Sequence, residues 1–201
     1  MTQGKLLEFC EDLGISMSAG YISNLLIKNP GDWETEFNEV YREGLASSPW
    51  QHLDQTGARV AGVNYTTNII CNPLYTVYRT SRNQDRLSVL RILQNVEELE
   101  LILNDFAYEL LGQLKLPTKW QQQLKLLPQE TVLTQTQFNV LLERHLEKLS
   151  SGYRSRVQEA AAIAFYHQQS NWPVVGTLVC DDAPQFKLLT GELALCWVHE
   201  G

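Results

Sequence analysis

Apolar residues recur every three or four positions over the first part of the chain, which is the spacing of an amphipathic helix. The pattern predicts one helix over residues 6–13 that stops at Gly14, and a second over residues 21–26. A third helix follows Gly31 and continues to Leu45. The first 46 residues are therefore predicted to form a helical segment.

The pattern changes after Pro49 from helical spacing to runs of β-branched and aromatic residues. Residues 50–60 form a first run of mixed composition, and Ala61-Gly62 supplies a tight turn. Two more runs follow, at residues 63–71 and 74–80. Because the connections are as short as those of hairpins, the three runs predict an antiparallel meander that begins a sheet.

The pattern is helical throughout residues 85–171, which are rich in Gln and Leu, as in a helical bundle or hairpin. Strand character returns over residues 174–180, and a short helix is expected over residues 183–189. The nearly continuous apolar run at residues 193–198 predicts another buried strand. Together these elements predict an α/β fold.

Length and charge restrict the classes of protein to consider. The chain has 201 residues, which suits one domain or a small domain with an insertion. Its 16 basic and 23 acidic residues give a net charge of −7, whereas a nucleic-acid binder usually has the opposite sign. No segment is a basic patch. Without a long apolar run or a signal peptide, we expect a cytoplasmic protein with no membrane association.

The four cysteines, at positions 10, 71, 180 and 196, are far apart in the sequence. Such a pattern favours buried small hydrophobic residues over disulfides. Two residues separate Cys196 from His199, which is a spacing that suits zinc ligands together with Cys10 or Cys71. A second close pair of ligands is missing from the sequence, so a core position for Cys196 is favoured over a zinc site.

Two carboxylates stand out because they lie on or directly after predicted strands. Asp54 falls in the first strand and Asp181 follows the fourth. Two carboxylates on neighbouring strands can bind Mg²⁺, and a two-metal site of this kind supports phosphoryl transfer. The alternative is that Asp54 lies on the surface of an edge strand and that Asp181-Asp182 caps the following helix.

Around these carboxylates the sequence resembles DDE transposases of the insertion-sequence sixty-six family, which have an RNase H-like core. The resemblance is carried by GLASSPWQHLDQTGARV at residues 44–60, NPLYTVY at 72–78, LVCDDAPQF at 178–186 and CWVH at 196–199. The family pattern is an Asp followed by an acidic residue, Thr and Gly, then a second strand-end Asp, then Cys-Trp-x-His. These motifs occur here in the same order.

The resemblance implies metal-dependent DNA transposition, a form of DNA recombination, with the DNA ends of an insertion sequence as the partner. Asp54 would be the first carboxylate of the DDE triad and Asp181 the second, and both would hold Mg²⁺ or Mn²⁺. Asp182 would be a supporting ligand or, more simply, a helix cap. The implied fold is an RNase H-like mixed sheet in four segments: a helical N-terminal segment (1–46), a first core part (47–95), a helical insertion (96–171) and a truncated second core part (172–201).

The chain departs from the family pattern at several points. Gln55 replaces the usual acidic neighbour of the first Asp, and the helical insertion interrupts the core. The third carboxylate is expected on a helix beyond CWVH, and neither Glu192 nor Glu200 occupies that place. We also expect the basic N-terminal region of full-length relatives to be absent. These departures predict an inactive transposase fragment. The alternatives are a helical regulatory protein that self-associates or binds an intact transposase, and a remnant with no role.

Overall fold

The computed structural model describes residues 3–28 and 30–196, and the chain divides into two compact units, residues 1–41 and 42–201. Helices α1 (Gln3–Asp12) and α2 (Ala19–Lys28) contact each other, and α3 (Pro30–Ala46) begins in the first unit. The three predicted helices are thus confirmed. The predicted stop after α1 is confirmed as well, because Gly14 has a left-handed φ of 75°.

The second unit begins with the predicted antiparallel meander, which is confirmed. It consists of β1 (Trp50–Val60), β2 (Val63–Asn72) and β3 (Tyr75–Ser81). Ala61 and Gly62 join β1 to β2, and both have positive φ values, 49° and 81°. A two-residue connection with two positive φ angles matches the right-handed twist of the paired strands, which is why this dipeptide closes the hairpin.

Five helices and two very short strands follow the meander. They are α4 (Arg86–Gln94), β4 (Glu100–Leu101), α5 (Asp105–Gln113), α6 (Thr118–Leu124), β5 (Leu133–Thr134), α7 (Gln135–His145) and α8 (Ser151–Gln168). The prediction of continuous helix is wrong at residues 99–103, where β4 pairs with β5. The side chains of Leu99, Leu101, Ile102 and Leu103 are all buried, so an extended segment replaces the amphipathic helix there.

Helix α8 is the central helix of this region and contacts α4, α5 and β4. Its buried alanines allow a close approach, and the carbonyl of Ala161 accepts a hydrogen bond from the amide of Ile102 at 3.1 Å. The hydroxyl of Tyr166 accepts another from the amide of Val175 at 2.8 Å. After α8, the indole of Trp172 donates to the carbonyl of Leu93 in α4 at 2.8 Å. The helices and the chain leading back to the sheet therefore form one core.

Two parallel strands complete the sheet, β6 (Thr177–Cys180) and β7 (Glu192–Leu195). The order is β3-β2-β1-β6-β7, so the described residues form a mixed α/β fold with eight helices and one five-stranded mixed sheet. Between β6 and β7 the predicted helix is only a 3₁₀ turn at Pro184–Phe186. In the described part of the chain, no helix is long and apolar enough to span a membrane.

The prediction of a buried last strand is wrong. All four residues of β7 are exposed, and Leu193 and Leu195 retain 37% and 42% of their accessible surface. The physical reason is that β7 lies at the edge of the sheet and pairs only with β6. Residues 197 and 198, at the end of the predicted strand, lie outside the described residues.

Candidate functional site

The sheet has one covered face and one open face, because successive side chains of a strand point to opposite sides. On β1, Gln51 and Leu53 are buried, whereas His52 and Asp54 are exposed. Paired strands follow the same alternation, so the covered face also contains Ile70, Val77, Leu178 and Cys180. The side of the sheet that carries His52 and Asp54 is called the open face below.

Asp54 lies on β1, the central strand of the sheet, but its backbone pairing is with β2 alone, because the pairing of β1 with β6 ends at His52. Strand β1 pairs with β6 in parallel, with His52 opposite Val179. Strand β6 ends at Cys180, so Asp181 lies directly after it, two residues beyond the last paired position. The two carboxylates that the sequence singles out line the same cleft. The fold therefore brings them together on the open face.

The end of β6 gives the neighbouring acidic residues different environments. One carboxylate oxygen of Asp181 accepts a hydrogen bond from the amide of Ala183 at 3.0 Å, which leaves its remaining lone pairs for another ligand. Asp182 instead forms an ion pair with Lys187, with 2.8 Å between Oδ1 and Nζ. The following 3₁₀ turn has Ala183 as its N-cap and no side-chain cap hydrogen bond, so the prediction that Asp181-Asp182 caps it is wrong.

A cleft of about 310 Å³ surrounds the two carboxylates. It extends across neighbouring strands, and its lining includes His52, Asp54, Ile69, Cys71, Asp181 and Cys196. The cleft thus combines oxygen, nitrogen and sulfur donors with an apolar wall. Its polar groups can hold a cation or donate and accept protons.

The thiols beside the carboxylates are held in the protonated form. Burial raises the pKa of the Cys71 thiol, and the charge of Asp54 raises it further. Burial also raises the pKa of Cys180 to about 12, with contributions from Asp181, Asp182 and Cys196. Since a metal-binding cysteine must be deprotonated, these environments favour carboxylate oxygen over sulfur as the donor.

Arg86, the first residue of α4, anchors the segment that follows Asp181. Its Nε donates to the carbonyl of Lys187 at 2.9 Å, and its Nη2 donates to the carbonyl of Pro184 at 2.7 Å. The same guanidinium forms an ion pair with Glu159 of α8. Two helices therefore fix the course of the chain just after the second carboxylate.

Gln55 adds a second link, although it occupies the position where the resemblance expects an acidic residue. Its side-chain oxygen accepts a hydrogen bond from Gln185 at 3.0 Å, and its amide nitrogen donates to Asn68 at 2.7 Å. A carboxylate could accept the first bond but could not donate the second. The glutamine thus ties the strand of Asp54 to the segment that follows Asp181.

Several other residues of the resemblance motifs have a structural role on the covered face. The amide of Asn72 donates to the carbonyl of Gly44 at 3.1 Å, and that of Gln51 donates to the carbonyl of Leu45 at 3.2 Å. The hydroxyl of Tyr75 donates to Gln51 at 3.0 Å, and burial raises the pKa of this tyrosine. The bonds of Asn72 and Tyr75 join the motif of residues 44–60 to that of residues 72–78.

The structure tests the predicted burial of the cysteines and part of the alternative zinc site. Cys180 is buried as predicted, whereas Cys10, Cys71 and Cys196 are half-buried, and all four are free thiols. Cys71 and Cys196 line the same cleft, but His199 lies outside the described residues. Among the residues that the structure describes, no three His, Cys, Asp or Glu side chains are placed to hold a metal together.

Sequence reasoning missed two features of the site. His52 shares the open face with Asp54, which the two-residue period of a strand could have indicated. Arg86 could not have been found in this way, because its partners Pro184 and Lys187 are about a hundred positions away in the sequence. Only the folded chain shows that this arginine fixes the segment after Asp181.

Comparison with known proteins identifies a relative of unknown function. This protein of Sinorhizobium fredii is named uncharacterized protein y4jO and is 27% identical over 159 residues. The alignment covers 78% of this chain and 48% of the relative, so the chain spans about half the length of the protein that it matches. No family model matches the chain, and no solved structure matches it.

Proposed function

We propose that the chain carries two metal-binding carboxylates of a DDE transposase-like catalytic core of the insertion-sequence sixty-six family. The observation that carries this proposal is that Asp54 on β1 and Asp181 directly after the parallel strand β6 line the same cleft. Carboxylates have a poor propensity for strands, so the position of Asp54 within β1 favours a chemical role.

The sheet supports an RNase H-like core. An antiparallel meander is extended on the β1 side by two parallel strands, giving a mixed sheet whose central strand carries the first carboxylate. Residues 96–171 separate the meander from β6, so this helical segment would be the insertion. In this proposal the insertion packs beside the sheet while the open face carries the chemistry.

The donors of the cleft suit Mg²⁺ or Mn²⁺, which prefer oxygen ligands. Asp54 and Asp181 would hold the ion, and the protonated thiols of Cys71 and Cys180 would stay outside its coordination. A bound divalent ion would supply activation of the attacking oxygen and stabilisation of the leaving oxygen in phosphoryl transfer on DNA. The carboxylates themselves would fix its position between two hydrogen-bonded strands.

Two carboxylates alone make a weak metal site. The resemblance assigns a third carboxylate to a glutamate, and the described residues contain no group of three candidate ligands. We therefore expect this chain by itself to bind divalent ions weakly and to show little DNA nicking. In the cell it would act in the cytoplasm on the DNA ends of an insertion sequence.

The test is a Mn²⁺ titration of the wild type and three variants, Asp54→Ala, Asp181→Ala and Asp182→Ala. Calorimetry or electron paramagnetic resonance measures the binding. We expect the first two variants to lose at least roughly tenfold in affinity, because each removes one of the two charged ligands that would hold the ion. Asp182→Ala is the matched control, since that carboxylate is paired with Lys187. Equal Mn²⁺ affinity in all four proteins would overturn the proposal.

A second candidate function is that of a non-catalytic partner of an intact transposase or of a second copy of the chain. It is favoured by large apolar side chains that are exposed in the first unit, among them Phe9, Leu13, Ile27 and Trp33, at 54%, 60%, 71% and 56%. Exposed apolar residues at this density are typical of interaction surfaces. Light scattering tests it, because a complex that persists in Asp54→Ala and Asp181→Ala would support binding without catalysis.

A further inference from the structure

A second cleft, of about 410 Å³, lies between helix α4 and β3, which is the edge strand on the other side of the sheet from β7. Arg79 and Arg82 border it at the end of β3, and Arg91 borders it from α4. Strand β3 is two strands away from β1, or about 10 Å across the sheet. This arginine cleft is therefore separate from the cleft of Asp54 and Asp181.

Positive charge is concentrated here, since residues 79–91 contain four arginines and one acidic residue, Asp85. Three arginines line the cleft against a single acidic residue, Glu97. The protein as a whole carries a charge of −7, so this excess has the opposite sign to the rest of the molecule. Concave surfaces lined by one sign of charge concentrate ligands of the other sign.

The arginines have neutral partners that orient them. Arg91 donates from Nη2 to the side-chain oxygen of Gln135 at 2.6 Å, and Arg79 donates to that of Asn95. Arg82 is exposed. Within residues 3–28 and 30–196, neither Arg82 nor Arg91 forms an ion pair with a carboxylate. Their positive charges therefore remain available to a ligand.

The chemistry of the remaining lining indicates the type of anion. Thr80 and Ser88 bring hydroxyl groups to the cleft and Asn83 brings an amide, whereas the hydroxyl of Ser81 already donates to the carbonyl of Asn83 at 2.9 Å. Guanidinium groups match the geometry of a phosphate with paired hydrogen bonds, and hydroxyl and amide donors complete such a site. A simple carboxylate ligand would use fewer of these donors than a phosphate with three or four oxygens.

We propose that the arginine cleft binds a phosphate group, carried by a polynucleotide strand or by a free mononucleotide. The arginines neutralise the charge of the phosphate, while the hydroxyl and amide groups of the β3 end donate to its oxygens. This inference goes beyond the metal-dependent function and does not depend on Asp54 or Asp181. It assigns a ligand to a part of the molecule that the carboxylate site does not use.

The test is fluorescence anisotropy with a labelled 20-nucleotide single strand, measured in EDTA so that no divalent ion contributes. Competition with inorganic phosphate and with adenosine monophosphate separates the two sources of phosphate. The variants are Arg82→Ala and Arg91→Ala, with Arg82→Glu as a charge reversal at an exposed position. Arg144→Ala on α7 is the matched control, because it removes the same charge outside the cleft.

We expect each alanine variant to weaken binding about tenfold, as for the loss of one charge-assisted hydrogen-bonding group. Each lost contact with the strand should also reduce the slope of log affinity against log salt by about 0.7. Arg144→Ala should bind like the wild type. If the labelled strand does not bind but adenosine monophosphate protects the cleft in hydrogen exchange, the mononucleotide is the ligand. No phosphate binding, or equal binding in Arg82→Glu and the wild type, would overturn the inference.

Discussion

The two faces of the sheet are built from the same strands but differ in what their side chains do. On the covered face, Leu53 and Ile70 are almost completely buried, and an amide network joins Gln51 to Asn72 at 3.3 Å. On the open face, the residue next to Leu53 is the exposed carboxylate of Asp54. Adjacent residues of one strand thus differ in role, since Leu53 packs in the core and Asp54 belongs to the candidate site.

This comparison shows how a motif can mix two kinds of residue. The segment of residues 44–60 contains both Gly44 and Gln51, which support the covered face, and Asp54, which faces the cleft. A resemblance over such a segment therefore depends both on residues that stabilise the fold and on a residue of the candidate site. Variants that alter one face alone can separate the two contributions.

The largest expected effect distinguishes adjacent residues of β1. Leu53→Ala removes a side chain that is 1% exposed and should lower the free energy of unfolding by about 3 kcal/mol, because it leaves a cavity. Asp54→Ala changes an exposed side chain and should alter the free energy of unfolding by less than about 0.5 kcal/mol. Urea unfolding monitored by circular dichroism measures both. A similar loss in the two variants would contradict the division into two faces.

A smaller effect is expected from Gly44→Ala, which tests the close contact under the covered face. A β-carbon at this position would overlap the ring of Tyr75. Overpacking of this kind should cost about 2 kcal/mol of stability and should leave Mn²⁺ affinity unchanged. The control is Gly57→Ala, since a β-carbon there meets no atom within 4 Å. Equal stability of the two variants in urea would show that the contact with Tyr75 is not restrictive.

The next effect concerns the buried thiol of Cys180 on the covered face. Its pKa is raised from 9.0 to about 12, so its contribution to stability is complete below pH 9 and is lost as pH rises toward 12. The loss should be at most about 1 kcal/mol per pH unit. Urea unfolding of the wild type and Cys180→Ala between pH 8 and pH 11 measures it, and the stability difference should change with pH. Parallel curves would contradict the assigned environment.

The smallest expected effect concerns the reactivity of the Cys71 thiol on the open face. Because the charge of Asp54 helps to raise the pKa of Cys71, Asp54→Asn should lower that pKa and increase the thiolate fraction. Alkylation of Cys71 at pH 8, followed by peptide mass spectrometry, should accelerate by roughly twofold to fivefold. Asp181→Asn is the control, because Asp181 does not contribute to the raised pKa of Cys71. An unchanged alkylation rate in Asp54→Asn would show that the charge of Asp54 does not affect the Cys71 thiol.

Local patterns predicted the elements of this fold better than their arrangement. The meander was predictable because β-branched runs and the Ala61-Gly62 turn specify it within thirty or so residues. The segment at residues 99–103 was misread because a fully buried extended run has no alternation to distinguish it from a helix. The exposure of β7 depends on its edge position, which no local pattern encodes.

The candidate site was predictable only in part for the same reason. Asp54 and Asp181 could be singled out from their positions on strands, but their proximity depends on the pairing of β1 with β6. The arginines of the second cleft were missed for a different reason, since Arg79, Arg82 and Arg91 lie within thirteen residues of the sequence. Charge counts over long segments divided at residue 80 did not reveal this local cluster.

The pairing of β1 with β6 also has a consequence for the order of folding. Trp50 pairs with Thr177, so this contact closes a loop of more than a hundred residues, whereas the meander closes through connections of two residues. The entropy of loop closure grows with length, and distant contacts form slowly. We therefore expect the meander to form early during synthesis, and the carboxylates of Asp54 and Asp181 to meet only after β6 has left the ribosome.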